Sequence, residues 1–396
     1  MKDGANTAGS NWPDPVHEKL LRACFLPPDR AAAEFRSWRA QADLNRIDQS
    51  SLRLFPLLLA RCGSHALDPA AADLAQRVRL TNWRQNQLRL SMAASLLDAL
   101  ATVGVESILL KGIAILERYY GDTGLRAMGD VDLLVRRQDV PTAVNALLAA
   151  NWRSEGDLPP DEILRMMRVR HAWQFSRGED LPPDDEGCDL HWQPVVRCYS
   201  PFVTEQFWNH AESVPVCGRR ARVPSATEQL FHTCAHGLQW DWTPSFRWAA
   251  DALTILGSPA IIDWARLVEL ARAANMTVRV HAAMLYLRTR IEAPVPQTAI
   301  EALAAQPQPR WERREHILLQ KPCPLGPLDS LRWHLCLFRR IRRFDSEWSG
   351  RTWFGFIDYL AVFLNAGNAR SLMAGLWRQL RSRRVFPTRP ASSARH

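Results

Sequence analysis

Gly129-Asp130-Val131-Asp132-Leu133-Leu134-Val135 reads as a short apolar strand entered through two acidic residues. On a strand, residues i and i+2 point to one face. Asp130 and Asp132 therefore set two carboxylates side by side, and the Leu-Leu-Val that follows belongs in a core. Adjacent carboxylates repel unless a cation lies between them. Mg2+ takes oxygen ligands, characteristically one or two carboxylates together with substrate phosphates. A solvated strand start carrying two acidic residues is the competing account of the same pattern.

Upstream, Val105–Leu110 is an apolar run of strand length after Gly104, and Lys111-Gly112 closes it before a helical stretch, Ile113–Tyr120. Glycine lets a phosphate approach the backbone, a helix start offers N–H donors, and Lys111 adds a positive charge. An ordinary strand-to-helix turn with a surface lysine fits as well. Lys2, Lys19, Lys111 and Lys321 are the only lysines among 50 basic residues, so a lysine inside a motif carries extra information.

Downstream, Asp139 reads as the N-cap of a helix over Val140–Ala150 with Pro141 in its first turn. Ala172–Ser176 is a third strand. An acidic, Pro-containing loop over 179–187 leads into a fourth, Cys188-Asp189-Leu190-His191-Trp192. Alternation puts Asp189 and His191 on one face. A third carboxylate completes what two-metal phosphoryl or nucleotidyl transfer needs, holding an ion and accepting the proton of the attacking group. His191 reads either as a hydrogen-bonded core histidine or as part of that chemistry. Residues 105–192 thus predict a small mixed sheet with helices between strands.

The rest is helical in period. Residues 15–100 repeat apolar side chains at spacings of three and four, and so do 227–238, 246–256 and 263–274, the last with Asp263 as N-cap. Residues 295–330 hold many prolines and read as a linker. Leu331–Leu380 looks helical, with Arg-rich faces, and 385–396 as a frayed end. The expected fold is α+β, a small mixed-sheet core flanked by N-terminal and C-terminal helical regions. Its divisions are a helical region at 1–100, the α/β core at 101–195, a helical region packing on it at 196–300, and a Pro-rich connection with a basic helical region at 301–396.

Apolar content of 47% with 23% charged residues marks a globular chain of 396 residues. The net charge of +9 is confined to the end: residues 301–396 carry 17 basic against 7 acidic side chains, and the first 300 are close to neutral. The runs Arg339-Arg340-Ile341-Arg342-Arg343 and 378–384 suit either a polyanion contact, nucleic acid or anionic lipid, or solvated helix faces. Eight cysteines form no CxxC pair, which removes a zinc-ribbon or redox signature. The start lacks an apolar signal core, and no run of ~18 apolar residues appears. These features predict a cytoplasmic protein without a transmembrane segment. His232 and His236 lie one helical turn apart, but HExxH and a third ligand are absent, so this helix is expected to pack on the sheet. Asp251, polar among apolar neighbours, either borders the cleft or hydrogen-bonds within a bundle.

Taken together, the words LLKG, GDVDLLV and CDLHW resemble the nucleotidyltransferase superfamily related to DNA polymerase beta. Within it they are similar to the uncharacterised bacterial nucleotidyltransferase family proteins, over roughly residues 80–260. The resemblance implies that Asp130 and Asp132 are the metal-binding pair, Asp189 the third catalytic carboxylate, and Gly112 the glycine of the first loop. Lys111-Gly112-Ile113 departs from the Gly-Ser of many members, leaving no serine for a phosphate. Arg126 also fits the group's pattern and implies a contact to the triphosphate or leaving group, with a surface salt bridge as the alternative. Lys111, Gly112, Arg126 and His191 make up the expected nucleotide-binding set. The implied reaction uses two Mg2+ ions, or Mn2+, to move NMP from an NTP to an unidentified acceptor: a small molecule, a natural-product peptide or a protein. The rival expectation is a catalytically degenerate fold serving as a binding or assembly module through its basic end.

Overall fold

The computed structural model describes residues 12–63, 66–177, 187–238, 246–321, 325–345 and 353–364. In chain order, α1 (Pro15–Phe25), α2 (Pro28–Arg39), α3 (Gln49–Leu52), α4 (Phe55–Cys62) and the long α5 (Pro69–Thr102) come first. Side-chain caps and prolines start these helices. Asp14 accepts from the backbone N–H groups of Val16 and His17, and Asp68 from that of Ala71, while Pro15 and Pro69 fill first-turn positions that need no N–H.

The sheet follows. Its strands are β1 (Ser107–Leu109), β2 (Val131–Val135), β3 (Trp152–Ser154), β4 (Ala172–Arg177), β5 (Cys188–His191), β6 (Glu212–Val216) and β7 (Arg219–Val223). They lie in the order β3-β4-β5-β2-β1-β7-β6. β2 runs parallel to β5 and antiparallel to β1, and β1 runs parallel to β7. Between strands sit α6 (Lys111–Ile115), α7 (Val140–Ala149), α8 (Pro160–Met166) and α9 (Pro201–Asn209). Beyond the sheet come α10 (Ala226–Gly237), α11 (Arg247–Leu256), α12 (Trp264–Ala273), α13 (Thr277–Ile291), α14 (Gln297–Ala304), α15 (Arg310–Leu319), α16 (Pro327–Ile341) and a last described helix, Trp353–Phe363. The fold is α+β, as expected.

Alternation along β2 divides the molecule. Val131, Leu133 and Val135 face one core, shared with α7, α8, the second half of α5 and the C-terminal helices. Leu134, with Ile108 and Leu110 of the β1 segment, faces the other core, built from the N-terminal helices and residues 195–303. Each strand of the centre is therefore buried on both faces, and α5 reaches into both cores.

Several expectations are corrected. The stretch 196–300 is not wholly helical, because β6 and β7 extend the sheet across β1. The stretch 295–330 is largely helical: Pro296 and Pro309 sit at the N-caps of α14 and α15, and Pro327 in the first turn of α16. There proline starts helices, where its missing N–H costs nothing. Asp139 holds the N-cap position of α7, but its side chain makes no cap hydrogen bond, because a 3-10 turn over Arg137–Asp139 leads straight into the helix. Asp263 does cap α12, accepting from the N–H of Arg266 at 2.9 Å.

The basic C-terminal stretch is partly core. Trp333, Leu337, Phe338, Ile341, Phe356, Tyr359 and Leu360 pack with the sheet's strands. Arg340 is buried, bonded to Glu315 and to the carbonyls of Ala274 and Asn275, and Arg343 donates to Asn275 Oδ1. The run 378–384 lies outside the described residues. Among the described residues no helix is long and apolar enough to cross a membrane.

Candidate functional site

Parallel pairing of β2 with β5 builds the site. The register sets Asp132 opposite Asp189 and Leu134 opposite His191. Because Val131, Leu133, Cys188 and Leu190 turn into one core, Asp132, Asp189 and His191 turn to the opposite face. One ligand atom from each of these three lies within 4.8 Å of the others, the one such group among the described residues. Asp130 stands outside it. It precedes the first paired residue of β2 and so has no registered partner on β5.

Asp132 is 1% exposed. Its Oδ1 accepts from Lys111 Nζ at 2.5 Å and lies 2.9 Å from His191 Nε2. Its Oδ2 is buried with no hydrogen-bond partner among the described residues. Burial works to raise this carboxyl's pKa, but Lys111 and His191 outweigh it and hold it well below the usual carboxylate range. Lys111 shows the mirror effect. Burial would lower it, yet Asp132, Asp130 and Asp189 together raise it above its ordinary value. The lysine is thus a cation paired directly with Asp132, with Asp130 and Asp189 adding to the negative field around it. Its backbone φ of +44° is the left-handed region, uncommon for a residue with a Cβ.

Gly112 and Arg126 meet. Arg126 is buried, and its Nε and Nη2 donate to Asp251 Oδ1 and Oδ2 at 2.8 and 2.9 Å. Tyr120, at the end of a π-helical turn over Leu116–Tyr120, donates its hydroxyl to Asp251 Oδ1 at 2.8 Å. Arg126 therefore makes a buried ion pair where the sequence offered a surface one or a phosphate contact. Its Nη1 donates to the Ala127 carbonyl at 3.4 Å and lies 3.3 Å from where a Cβ on Gly112 would stand. Met128 Cγ and Sδ lie closer still, at 3.2 Å, so the missing side chain of Gly112 lets Met128 and Arg126 pack close to the backbone. Asp251 sits within the bundle as the anchor of Arg126.

Other side chains escaped the sequence reading. Asn86 Nδ2 donates to the carbonyls of Thr123 and Arg126, Asn82 to that of Gly124, and Arg89 to that of Gly129. They hold the segment that carries Arg126 and leads into β2. Their signal was present: residues 82, 86 and 89 continue, at helical spacing, the face that buries Ala93, Leu96 and Leu100. Arg247, at the start of α11, donates to the Ala127 carbonyl at 3.1 Å. Burial, then neighbouring Arg126, pushes it down to about 10, and Asp251 and Asp130 are also close enough to act on it. His232, on α10, is 1% exposed and both its ring nitrogens lack partners among the described residues. Its ring centroid lies 5.7 Å from that of His236. This helix packs on the sheet core, as its sequence suggested.

Lys111 and a buried group of two carboxylates and one imidazole fit a generic metal-dependent nucleotidyltransferase. Comparison with curated proteins gives no match, and comparison with solved structures gives none either. Comparison with family models gives one whose description is "Uncharacterised nucleotidyltransferase", and it matches residues 50–291. That span holds β1 through β7, Lys111, the three aspartates, His191 and the Arg126–Asp251 pair, and with it the chain belongs to the uncharacterised nucleotidyltransferase family.

Proposed function

We propose that this protein transfers a nucleoside monophosphate from a nucleoside triphosphate to an acceptor, with Asp130, Asp132 and Asp189 holding the metal-bound triphosphate. The observation that carries the reading is the register of Asp132 against Asp189, with Asp132 Oδ2 buried and lacking a hydrogen-bond partner among the described residues. A buried carboxylate oxygen without a donor is costly, and a cation is the partner it lacks. Divalent ions bound there neutralise phosphate charge and favour attack by the acceptor.

The chain's own groups supply the rest. Lys111 moves from Asp132 to the phosphates, which offer its charge a second anion. Arg126, oriented by Asp251 and Tyr120, adds positive charge toward the phosphates. His191 fixes Asp132. The acceptor oxygen attacks the α-phosphorus, the bond from that phosphorus to the bridging oxygen breaks, and pyrophosphate leaves with the bond electrons. Asp189 takes the acceptor's proton and passes it to solvent. The acceptor is a small molecule, a natural-product peptide or a protein.

One observation favours a second reading, a fold kept for binding alone: Lys111 already fills the cation's role at Asp132 Oδ1. A single experiment separates the two. With labelled NTPs, metal should be required for triphosphate binding, and Asp132→Asn should remove that requirement together with most of the affinity. Equal triphosphate affinity with metal, without it, and in the variant would sink the enzyme reading. Mass spectrometry of cell extract incubated with the protein and each NTP then identifies the acceptor by its added nucleotide.

A further inference from the structure

We infer that the ion at this site is a first-row transition-metal dication bound by His191 as well as by Asp132 and Asp189, rather than Mg2+ held by carboxylates alone. The inference rests on the metal-dependent reading above and concerns what that site selects.

The donor set is the first ground. Asp132, Asp189 and His191 bring one ligand atom each within 4.8 Å of one another, close to the span needed around an ion with bonds of ~2.0–2.2 Å. Mg2+ favours oxygen and sheds water reluctantly. An imidazole nitrogen suits the later first-row metals, and a mixed nitrogen and carboxylate set shifts preference toward them. Three protein ligands also leave positions open for phosphate oxygens, as in catalytic metal sites.

The setting of His191 is the second ground. The ring is fully buried, and the His171 ring stands edge-on to it with centroids 5.2 Å apart, which fixes its plane. Nδ1 lies 3.4 Å from the Gln193 carbonyl, and Nε2 lies 2.9 Å from Asp132 Oδ1. A proton on Nδ1, directed at that carbonyl, leaves the Nε2 lone pair facing a carboxylate. Those two groups repel unless a cation joins them. Metal-ligating histidines are oriented in this way, with the second ring nitrogen donating to a carbonyl. Without an ion, the other tautomer places N–H on Nε2 and donates it to Asp132.

The third ground is independent of the ligands. His232 is 1% exposed with both ring nitrogens lacking partners among the described residues, and it lies close enough to feel the charges of Lys111, Asp132 and His191. Buried ring nitrogens without partners call for a polar group within reach, which water carried by a bound ion would provide.

The experiment uses the full chain, stripped of metal by chelator and titrated separately with Mn2+ and Mg2+ in the absence of nucleotide. Electron spin echo spectroscopy of the Mn2+ form should show coupling to an imidazole nitrogen, and labelling histidine with 15N should change its frequency. Mn2+ should bind at least ~10-fold more tightly than Mg2+. His191→Gln should remove the coupling and lower Mn2+ affinity by ~10–100-fold, with Mg2+ affinity changing far less. Bound Mn2+ without nitrogen coupling in the wild-type chain, or equal affinities for the two ions, would overturn the inference. The wild-type spectrum decides even if the variant folds poorly. Metal-dependent triphosphate binding without nitrogen coupling would leave the proposed function standing. Nitrogen coupling in a chain that binds no triphosphate would retain the metal assignment and remove the function.

Discussion

Lys111 concentrates the energetics of the site in one side chain. It pairs with Asp132 at 2.5 Å, and its backbone φ is left-handed. Lys111→Met keeps the aliphatic length and removes the charge, leaving a buried carboxylate with His191 alone. Breaking such a pair costs ~3–5 kcal/mol. In chemical denaturation without metal, the variant should lose stability on that scale, and adding divalent metal should recover more stability than it gives the wild type. An unchanged midpoint without metal would show that Asp132 is not strongly held by Lys111. The sequence made this residue conspicuous because lysine is scarce in the chain. It did not reveal the hydrogen bond to Asp132, which depends on the turn after β1 folding back toward β2.

Among elements, the apolar strands β1, β2 and β5 were legible because burial on both faces writes a largely apolar run, interrupted in β2 and β5 by Asp132, Asp189 and His191. The β6–β7 hairpin was not. Its residues Glu212-Ser213-Val214-Pro215-Val216 and Arg219-Arg220-Ala221-Arg222-Val223 form the sheet edge, so most are exposed or half-buried and the apolar signal is thin. β3 spans only three residues and carries no period. In α5, Asn82, Asn86 and Arg89 continue the buried face of the helix, but sequence alone does not tell which carbonyls such side chains bond. Asn86→Ala puts such bonds to the test. It strips the carbonyls of Thr123 and Arg126 of their donor, a loss of ~1–3 kcal/mol. It should also weaken triphosphate binding by loosening Arg126. A stable variant with wild-type nucleotide affinity would show that the segment holds its shape without α5.

At the scale of the whole molecule, the C-terminal helices were readable as helices, while their basic faces gave no sign of the core they share with the sheet. Their arginines advertise a surface, while Trp333, His334 and Tyr359 bury against the sheet's core. His334 makes this testable by pH. Its Nδ1 lies 2.9 Å from the Tyr359 hydroxyl, and burial, helped by Arg197, pushes its pKa down to about 4. The unfolded chain binds this proton below ~6.5. Between that value and about 4, the unfolded state holds a proton that the folded state lacks, so stability falls as pH drops through this window and is unaffected by the group above it. His334→Phe should flatten the slope of stability against pH across this window, by up to ~3 kcal/mol at its lower end. Carboxylates held low, such as Asp132, act below it. An unaltered slope would place His334 in contact with water. The Arg126–Asp251 pair has a consequence in time as well as in space. Its partners are separated by 125 positions in the chain, and β1 waits for β7, just as remote, to complete its far side. During synthesis, a chain grown as far as His191 owns every carboxylate of the triad while its arginine still lacks an anchor. Contacts of such long range form slowly, so in refolding experiments nucleotide binding should return after the bulk of the helical signal, and a simultaneous return would show that the site assembles with the first helices.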